Sequence, residues 1–385
     1  MARGCDAIRG MDIWTRTLVE EGAFVDEQAK LAGVWTFLGL TSDLKEDDAW
    51  ITGQIGGRAV FVQRFGGTLR GFENVCAHRG FPLRLGGKGR GAVICGFHLW
   101  RYNADGRVVG VPIAQEAFGC SAEELHAGLA ELEVACCGGL VFGRFAHQAP
   151  AGPLSGGLEA FLGDAFPMLE TICQFSDAPA VRTYGRIVEA NWKLMINITL
   201  DDSHLPAIHG RKRFSRRDEF DYWRFGAHSA HTEGQQETQA AMLADCVAGV
   251  YQPVRYKLFN LFPNVAIGLL RLGPYWYVLL QHFEPVGPAE TKWRAHYFRT
   301  PWRAGAEPLL APQSPRTTDR IVAWLFERVA RRVNEEDHIA CERQQTNARN
   351  IPPPIALLSA HEERIGWFYE TWRMSQPGED GSPRL

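Results

Sequence analysis

Two short segments of the chain each place one cysteine beside one histidine. Cys76 and His78 are two residues apart, and Cys95 and His98 follow after a gap of sixteen residues. Structural zinc sites with two Cys and two His usually group like ligands in one segment, whereas each segment here mixes them. The mixture favours a [2Fe–2S] centre in which two thiolates bind one iron and two imidazoles bind the other. A structural zinc ion is the alternative.

The stretch of residues 45–115 around these four ligands resembles the Rieske domain of ring-hydroxylating oxygenases. Rieske proteins of respiratory complexes add a Cys to each segment, and the two form a disulfide; the matching residues here are Phe81 and Phe97. The resemblance therefore implies a cluster without a bracing disulfide and a reduction potential in the lower part of the Rieske range. Leu99 departs from the family pattern, which often has Gly at this position before Trp100.

A second group of candidate ligands lies further along the chain. His204 and His209 are five residues apart with Pro206 between them, so a helix broken near Pro206 could aim both imidazoles at one point. Two His and one carboxylate on one face of an iron leave three coordination positions open. Asp337 is the candidate carboxylate, with Glu336 as its nearest competitor. Taken alone, a His pair and a helical Asp are also typical of a solvated surface.

Ring-hydroxylating oxygenases have the same order of motifs, namely Asn-Trp, then Asp-x-x-His-x-x-x-x-His, then a late Asp. This resemblance implies that His204, His209 and Asp337 hold a mononuclear non-haem Fe(II). It also implies that Asp201, three residues before His204, orients that imidazole and reaches His98 of the partner subunit in a head-to-tail homotrimer. Electrons would then pass from the cluster of one chain to the mononuclear iron of the next.

The neighbours of Asp201 give two further expectations. Asp202 stands two residues before His204, an offset that points its side chain away from that imidazole. Many family members carry an acidic residue followed by Asn shortly before the bridging Asp, whereas this chain has Asn197 and Ile198. The acidic group is therefore absent, which bears on substrate orientation and not on metal binding.

By the same resemblance, the chain is expected to be the terminal oxygenase of a multicomponent system. A reductase or ferredoxin would supply electrons from NAD(P)H, and dioxygen would be used to hydroxylate an aromatic or other apolar small molecule. Ring dihydroxylation is the favoured reaction; a monooxygenase performing single hydroxylation or O- or N-demethylation is the alternative. An interpretation from another class is a pure Rieske electron-transfer protein, which needs only about 100 residues.

Composition and charge exclude several other classes. The 385 residues fit two domains, and a hydrophobic content of 45% suffices for ordinary cores. A formal net charge of −3 gives no reason to expect nucleic-acid binding. The nine cysteines are odd in number and irregularly spaced, which favours a reducing cytoplasm over a disulfide scaffold. No charge-free apolar stretch of about 20 residues is present, so no membrane span is expected.

The hydrophobic pattern predicts an α+β fold with two domains. Short strands between Gly-rich turns indicate a β-sandwich Rieske [2Fe-2S] domain over residues 41–148. Residues 154–375 are expected to form a helix-grip catalytic domain, an antiparallel sheet holding a long C-terminal helix. Residues 1–40 are predicted to add a helix and a strand to the catalytic domain, and residues 376–385 to be a flexible tail. Single strands of the catalytic domain are predicted at 222–231 and 255–266.

Overall fold

The chain folds into two compact units. The computed structural model describes residues 18–150, 154–174, 182–210, 219–234, 237–273, 275–303, 317–350 and 358–374. The smaller unit contains Gln28–Pro150, and the larger unit contains the described residues before Gln28 and after Pro150. None of the described helices is both long and apolar enough to cross a lipid bilayer.

The smaller unit is built from two antiparallel sheets. A seven-stranded sheet has the order β1-β10-β9-β4-β3-β2-β5, and a three-stranded sheet has the order β6-β7-β8. The strands are β1 Thr36–Leu40, β2 Ala49–Ile55, β3 Arg58–Phe65, β4 Thr68–Glu73, β5 Lys88–Arg90, β6 Val93–Ile94, β7 Arg101–Tyr102, β8 Val108–Gly110, β9 Glu131–Cys137 and β10 Leu140–Arg144.

Strand β3 is buried on both faces, because its side chains alternate between two hydrophobic clusters. Val60 and Val62 pack in one cluster with Ile51. Phe61 packs in the other, which also contains Cys76 and Cys95. Two-residue Gly-Gly turns, in which every φ is positive, join β2 to β3 and β3 to β4, as type I′ hairpins require. The hydrophobic cluster that contains Cys76 and Cys95 therefore packs on β3, the middle strand of the β2–β3–β4 meander.

The larger unit is an antiparallel sheet packed against a long helix. Its seven strands have the order β11-β17-β16-β15-β14-β13-β12, with bounds β11 Arg182–Val188, β12 Phe220–Phe225, β13 His228–Glu233, β14 Lys257–Leu261, β15 Val265–Leu272, β16 Tyr275–Gly287 and β17 Glu290–Arg303. The α-helices among the described residues of both units are α1 Glu21–Leu31, α2 Ala114–Phe118, α3 Leu158–Leu162, α4 Ala165–Ile172, α5 Trp192–Leu200, α6 Leu205–His209, α7 Gln239–Val247, α8 Thr317–Asn350 and α9 Glu363–Met374. This is the predicted helix-grip arrangement, with α5 and α6 both packed on α8.

Three details of the predicted organisation are wrong. Residues 28–40 belong to the smaller unit and not to the catalytic domain, because β1 pairs with β10. The strand predicted at 222–231 is two strands, since Gly226 turns the chain with a φ of +57°. The strand predicted at 255–266 is likewise two, β14 and β15. The predicted tail, 376–385, lies outside the described residues, and the other predicted domain boundaries stay predictions.

His228, at the start of β13, is held as a neutral imidazole. Its Nε2 donates to the carbonyl oxygen of Phe161 at 2.8 Å, and its Nδ1 accepts from the backbone N–H of Phe262 at 3.0 Å. Complete burial lowers the pKa of His228 to about 4, against the weaker opposing effect of the Phe161 carbonyl. A second proton would break the bond from Phe262, so folding selects the neutral ring.

Candidate metal centres

The two Cys–His segments of the smaller unit adopt the same backbone conformation. In the first, Cys76 N–H donates to the carbonyl of Phe81 and Gly80 N–H donates back to the carbonyl of Cys76, both at 2.9 Å. In the second, Cys95 makes the same two contacts with Trp100 at 2.8 Å and with Leu99 at 3.0 Å. Each cysteine is thereby fixed at the base of a six-residue loop.

These loops bring the four predicted ligands to one place. Cys76 and Cys95 are buried, at 2% and 1% exposure. The rings of His78 and His98 lie 4.7 Å apart in a T-shaped arrangement, and His78 stacks on Trp100. Nδ1 of His78 is buried without a hydrogen-bond partner. Two buried sulfurs with two nearby imidazoles, one presenting an orphaned nitrogen, fit a [2Fe–2S] cluster with mixed ligands.

Tyr102 adds a hydrogen bond that the sequence did not reveal. Its hydroxyl accepts from the backbone N–H of Ala77 at 3.0 Å and lies 3.0 Å from the sulfur of Cys76. Burial raises the pKa of the Cys76 thiol, and the Tyr102 contact opposes that rise. A buried thiol of this kind becomes a thiolate when a metal ion binds it. Tyr102 is then placed to donate to the ligating sulfur.

The rings of Phe81 and Phe97 meet at 5.5 Å, where respiratory Rieske proteins have their extra cysteines. Leu99 occupies the loop position equivalent to Gly80, and both have left-handed backbone conformations, with φ of +58° and +73°. The Leu99 side chain is 57% exposed. It therefore gains little from packing, and a left-handed conformation costs a non-glycine residue about 1 kcal/mol.

In the larger unit, the second constellation begins with the anchoring of α5. Asn191 caps the helix by accepting from the backbone N–H of Lys193 at 3.0 Å. The side chain of Lys193 is fully buried and ion-paired with Glu27, which also accepts from the indole N–H of Trp192. The chain then leaves α5 through Asp201, whose backbone is extended. The start of α5 is thus fixed by a buried ion pair.

The two candidate histidines flank the short helix α6. His204 precedes the helix, Pro206 lies in its first turn, where a missing N–H costs nothing, and His209 is its last residue. Gly210 ends the helix with a φ of +65°. The rings of His204 and His209 lie 5.2 Å apart. Pro206 therefore lies in the first turn of the helix and does not break it.

Asp337 comes from the middle of α8, on a face that is well anchored. Within one turn on either side, Asn334 donates to the hydroxyl of Tyr297 at 3.3 Å, and the buried His338 packs its ring on Trp293 at 4.6 Å. These contacts fix the helix on the sheet. They hold the Asp337 carboxylate towards the pair of histidines.

One ligand atom from each of the three residues lies within 4.8 Å of the other two. Oδ1 of Asp337 is 2.9 Å from Nε2 of His209 and 3.6 Å from Nε2 of His204. That oxygen is buried without a hydrogen bond of acceptable geometry. Two imidazoles and a carboxylate converging in this way fit a mononuclear iron site with open positions.

A second carboxylate stands behind each imidazole. Nδ1 of His209 lies 2.9 Å from Glu336, whereas Nδ1 of His204 lies 3.5 Å from Asp201 and has no hydrogen-bond partner of acceptable geometry. The Glu336 contact holds the Nδ1–H tautomer of His209 and turns its Nε2 lone pair towards a metal. Glu336, expected as the competitor of Asp337, therefore contacts Nδ1 of His209, on the opposite side of the ring from Asp337.

The electrostatics of the site favour a cation. Burial opposes a charge on His209, but the adjacent carboxylates of Asp337 and Glu336 outweigh this and raise its pKa. Burial likewise opposes ionisation of Asp201, but the nearby His204 imidazole and the hydrogen bonds from Ser203 prevail and lower its pKa. Three carboxylates around two imidazoles leave a net negative charge, which a divalent ion would balance.

Comparison with known proteins agrees with this geometry. Residues 34–130 match the family described as Rieske [2Fe-2S] domain, and residues 175–376 match the family described as ring hydroxylating alpha subunit (catalytic domain). The chain belongs to the ring-hydroxylating alpha subunit family. Members of this family carry a Rieske cluster and a mononuclear iron, and the two candidate centres supply a donor set for each.

Individual relatives include both monooxygenases and dioxygenases. The glycine betaine monooxygenase oxygenase subunit of Chromohalobacter salexigens is 28% identical over 303 residues, which cover 68% of this chain and 66% of the relative. The large oxygenase component of naphthalene 1,2-dioxygenase from Pseudomonas fluorescens is 34% identical over 182 residues, 46% of this chain and 39% of the relative. The matched segments thus span from about two fifths to two thirds of the length of these relatives.

Solved structures share the fold over nearly the whole chain. The quaternary ammonium Rieske monooxygenase CntA in complex with an inhibitor has a TM-score of 0.72 at 18% identity, covering 94% of this chain and 96% of that one. Naphthalene 1,2-dioxygenase from Rhodococcus sp. bound to indole has a TM-score of 0.70 at 19% identity, covering 93% of each chain. The α+β architecture of a ring-hydroxylating alpha subunit is thereby established.

Sequence reasoning missed Tyr102 and named Glu336 only as a competitor of Asp337, without its contact to Nδ1 of His209. Tyr102 reaches Cys76 across 26 residues through the pairing of β6 with β7. Glu336 differs from Asp337 by a single helical position, and only the placement of α8 decides which of them faces Nε2.

Proposed function

We propose that this chain is the cytoplasmic oxygenase component of a multicomponent Rieske non-haem iron system. It would take electrons from an NAD(P)H-dependent reductase or ferredoxin and use dioxygen to hydroxylate an aromatic or other apolar small molecule. The observation that carries the proposal is the convergence of His204, His209 and Asp337 within 4.8 Å, in a chain that also holds the four Rieske ligands. A pure electron carrier needs no such second site.

The proposal gives each ligand residue a place. Cys76 and Cys95 would bind one iron of the cluster, and His78 and His98 the other. The bound groups would supply one-electron transfer at the cluster and activation of dioxygen at the mononuclear iron. Tyr102 would hold a proton towards the sulfur of Cys76.

Around the mononuclear site, the protein's task is to hold ligands and protons in place. His204, His209 and Asp337 would bind the iron from one side, leaving the other side for dioxygen and substrate. Glu336 would keep the proton of His209 on Nδ1, 2.9 Å away. The Asp201 carboxylate, 3.5 Å from Nδ1 of His204, would favour the same tautomer of His204 through its charge.

Asp201 has a second proposed role, as the bridge between subunits. Its Oδ1 accepts from the backbone and hydroxyl of Ser203 at 2.6 and 2.7 Å, which fixes the carboxylate, and its side chain retains 18% exposure. In a head-to-tail homotrimer this group would accept from His98 of the partner subunit. Inter-subunit electron transfer is described for a related quaternary ammonium monooxygenase. Asp201→Asn should keep both metal centres and block electron passage; normal turnover by this variant would refute the bridge.

A single turnover tests the proposed function. Chemically reduced protein is mixed with dioxygen and a panel of aromatic, methoxy-substituted and N-methyl-substituted compounds, and the products are identified by mass. A product that gains two oxygen atoms and two hydrogens identifies ring dihydroxylation. Gain of one oxygen, or loss of a methyl group with release of formaldehyde, identifies a monooxygenase. The absence of any product from a reducible protein would refute the oxygenase proposal in favour of an electron carrier.

Metal analysis separates the classes independently of substrate. An oxygenase contains about three iron atoms per chain, and an electron carrier about two. A colourless protein containing zinc would exclude both. Asp337→Ala should lose one iron while the cluster spectrum is retained, and His98→Ala should damage the cluster.

A further inference from the structure

Asp202 stands beside the proposed bridging residue but has a different environment. The backbone at Asp201 is extended, with φ of −106° and ψ of 125°. In extended chain, consecutive side chains point to opposite sides. The Asp201 carboxylate accordingly reaches Ser203 and His204, whereas Asp202 is buried, at 4% exposure. The Asp202 carboxylate therefore points into the interior of the larger unit.

Three elements of the larger unit meet the Asp202 carboxylate. Tyr222 of β12 donates its hydroxyl proton to Oδ2 at 2.8 Å. Nε2 of His231, on β13, lies 3.4 Å from Oδ1. The guanidinium of Arg364, on α9, donates to Oδ2 at 3.4 Å and is itself fully buried. The segment between α5 and α6 is thus tied to two strands and to the last described helix.

Arg364 contacts the chain on both sides of Asp201. The same nitrogen, Nη2, donates to the carbonyl of Thr199 and to Asp202, each at 3.4 Å. Its other terminal nitrogen donates to Asn260 at 3.1 Å, and Asn260 donates in turn to the hydroxyl of Thr199 at 2.6 Å. The residues flanking Asp201 are therefore held by one guanidinium, while Asp201 itself is left to face the metal site.

Burying the Asp202–Arg364 ion pair costs the desolvation of both charges, and apolar side chains of the same volume often stabilise a fold as well or better. Unlike apolar contacts, the hydrogen bonds of this network fix the angle between the groups as well as their distance. We propose that Asp202 and Arg364 are positioning residues that set the orientation of the Asp201 carboxylate and the His204 imidazole. The inference rests on the proposed function, in which Asp201 relays electrons to the mononuclear iron.

The test compares Asp202→Asn with a matched control. Glu237→Gln breaks another largely buried ion pair of the larger unit, with Lys257, which belongs to neither metal centre. Each reduced holoenzyme is mixed with dioxygen and substrate, and reoxidation of the cluster is followed by absorbance. The nitric oxide adduct of the mononuclear iron is examined by EPR, and iron content and melting temperature are measured in parallel.

For Asp202→Asn we expect about three irons per chain, cluster reoxidation slowed at least tenfold, and a broadened or split EPR signal of the nitric oxide adduct. A misplacement of about 1 Å suffices for a loss of this size. Glu237→Gln should lower the melting temperature and leave the reoxidation rate and the EPR signal unchanged. Tyr222→Phe, which removes only the hydroxyl, should give a smaller loss of rate in the same direction.

Unchanged reoxidation and EPR signals in Asp202→Asn would overturn the inference, and so would an equal loss in Glu237→Gln. If Asp202→Asn does not fold, Tyr222→Phe decides by the same two measurements. A wild-type protein whose cluster is not reoxidised by dioxygen would refute the proposed function instead. The EPR comparison would still decide whether Asp202 orients the iron ligands.

Discussion

The hydroxyl of Tyr102 should set part of the reduction potential of the cluster. Because this oxygen accepts from the backbone N–H of Ala77, its own proton is directed at the sulfur of Cys76, 3.0 Å away. Burial raises the pKa of Tyr102 far above neutrality, so the hydroxyl stays protonated at any working pH. Reduction adds negative charge to the cluster, and a donor to sulfur stabilises the reduced form more than the oxidised form.

The size of the effect follows from the strength of one hydrogen bond. A net contribution of about 1 kcal/mol that is realised mainly in the reduced state corresponds to about 40 mV for one electron. Tyr102→Phe should therefore lower the midpoint potential by about 40 mV. The residue is only 6% exposed, and Phe fills the same space, so the cluster should assemble normally.

The measurement is a redox titration of the purified protein, followed by the EPR signal of the reduced cluster. Tyr297→Phe is the matched control, because it removes a buried hydroxyl from the larger unit, where it contacts Asn334. That variant should leave the cluster potential unchanged. An unchanged or higher potential in Tyr102→Phe, with the visible spectrum of the cluster intact, would refute the assignment of the proton to Cys76.

Three further predictions test other parts of the molecule. The pKa of His228 is lowered to about 4 in the folded state, so as pH falls below the unfolded value of about 6.5 only the unfolded chain gains a proton. His228 alone should lower the free energy of unfolding by about 2 kcal/mol between pH 7.5 and 5; urea titrations of His228→Gln should show a weaker pH dependence than the wild type, and equal slopes would contradict this. Leu99→Gly should raise the free energy of unfolding by about 0.5–1 kcal/mol by relieving a left-handed φ, whereas Gly80→Ala should lower it by a similar amount; the same urea titrations would contradict the argument if both changes had one sign. Glu336→Gln should weaken retention of the mononuclear iron about tenfold, because the group behind His209 loses its charge; iron loss to a chelator at a wild-type rate, with the cluster intact, would count against it.

The sequence allowed the cluster site to be predicted in outline, because its ligands are local. Cys76 with His78, and Cys95 with His98, each fit within one loop, so spacing alone indicates a candidate donor set. Tyr102 could not be assigned in this way. Its position depends on the return of β7 alongside β6, and that pairing is a property of the folded sheet.

The mononuclear site was only partly accessible from sequence. His204 and His209 lie on either side of one short helix, but Asp337 arrives from a helix more than a hundred residues later. Neighbouring positions of a helix differ in direction by about 100°, so sequence leaves the roles of Asp337 and Glu336 open. The packing of α8 on the sheet decides between them, placing one carboxylate near Nε2 and the other near Nδ1 of His209.

The Asp201-Asp202 pair shows how one local rule can serve two tasks. Alternation along extended backbone sends the first carboxylate towards the metal site and the second towards the core, so the pair gives one segment both a functional group and an anchor. Local pattern predicts the separation of the two side chains. It does not predict the contacts of Arg364, which lies on the last described helix and donates hydrogen bonds to Thr199 and Asp202, on either side of Asp201. The precision of the proposed electron relay therefore depends on a residue more than 160 positions away, where a substitution would damage function without touching either metal.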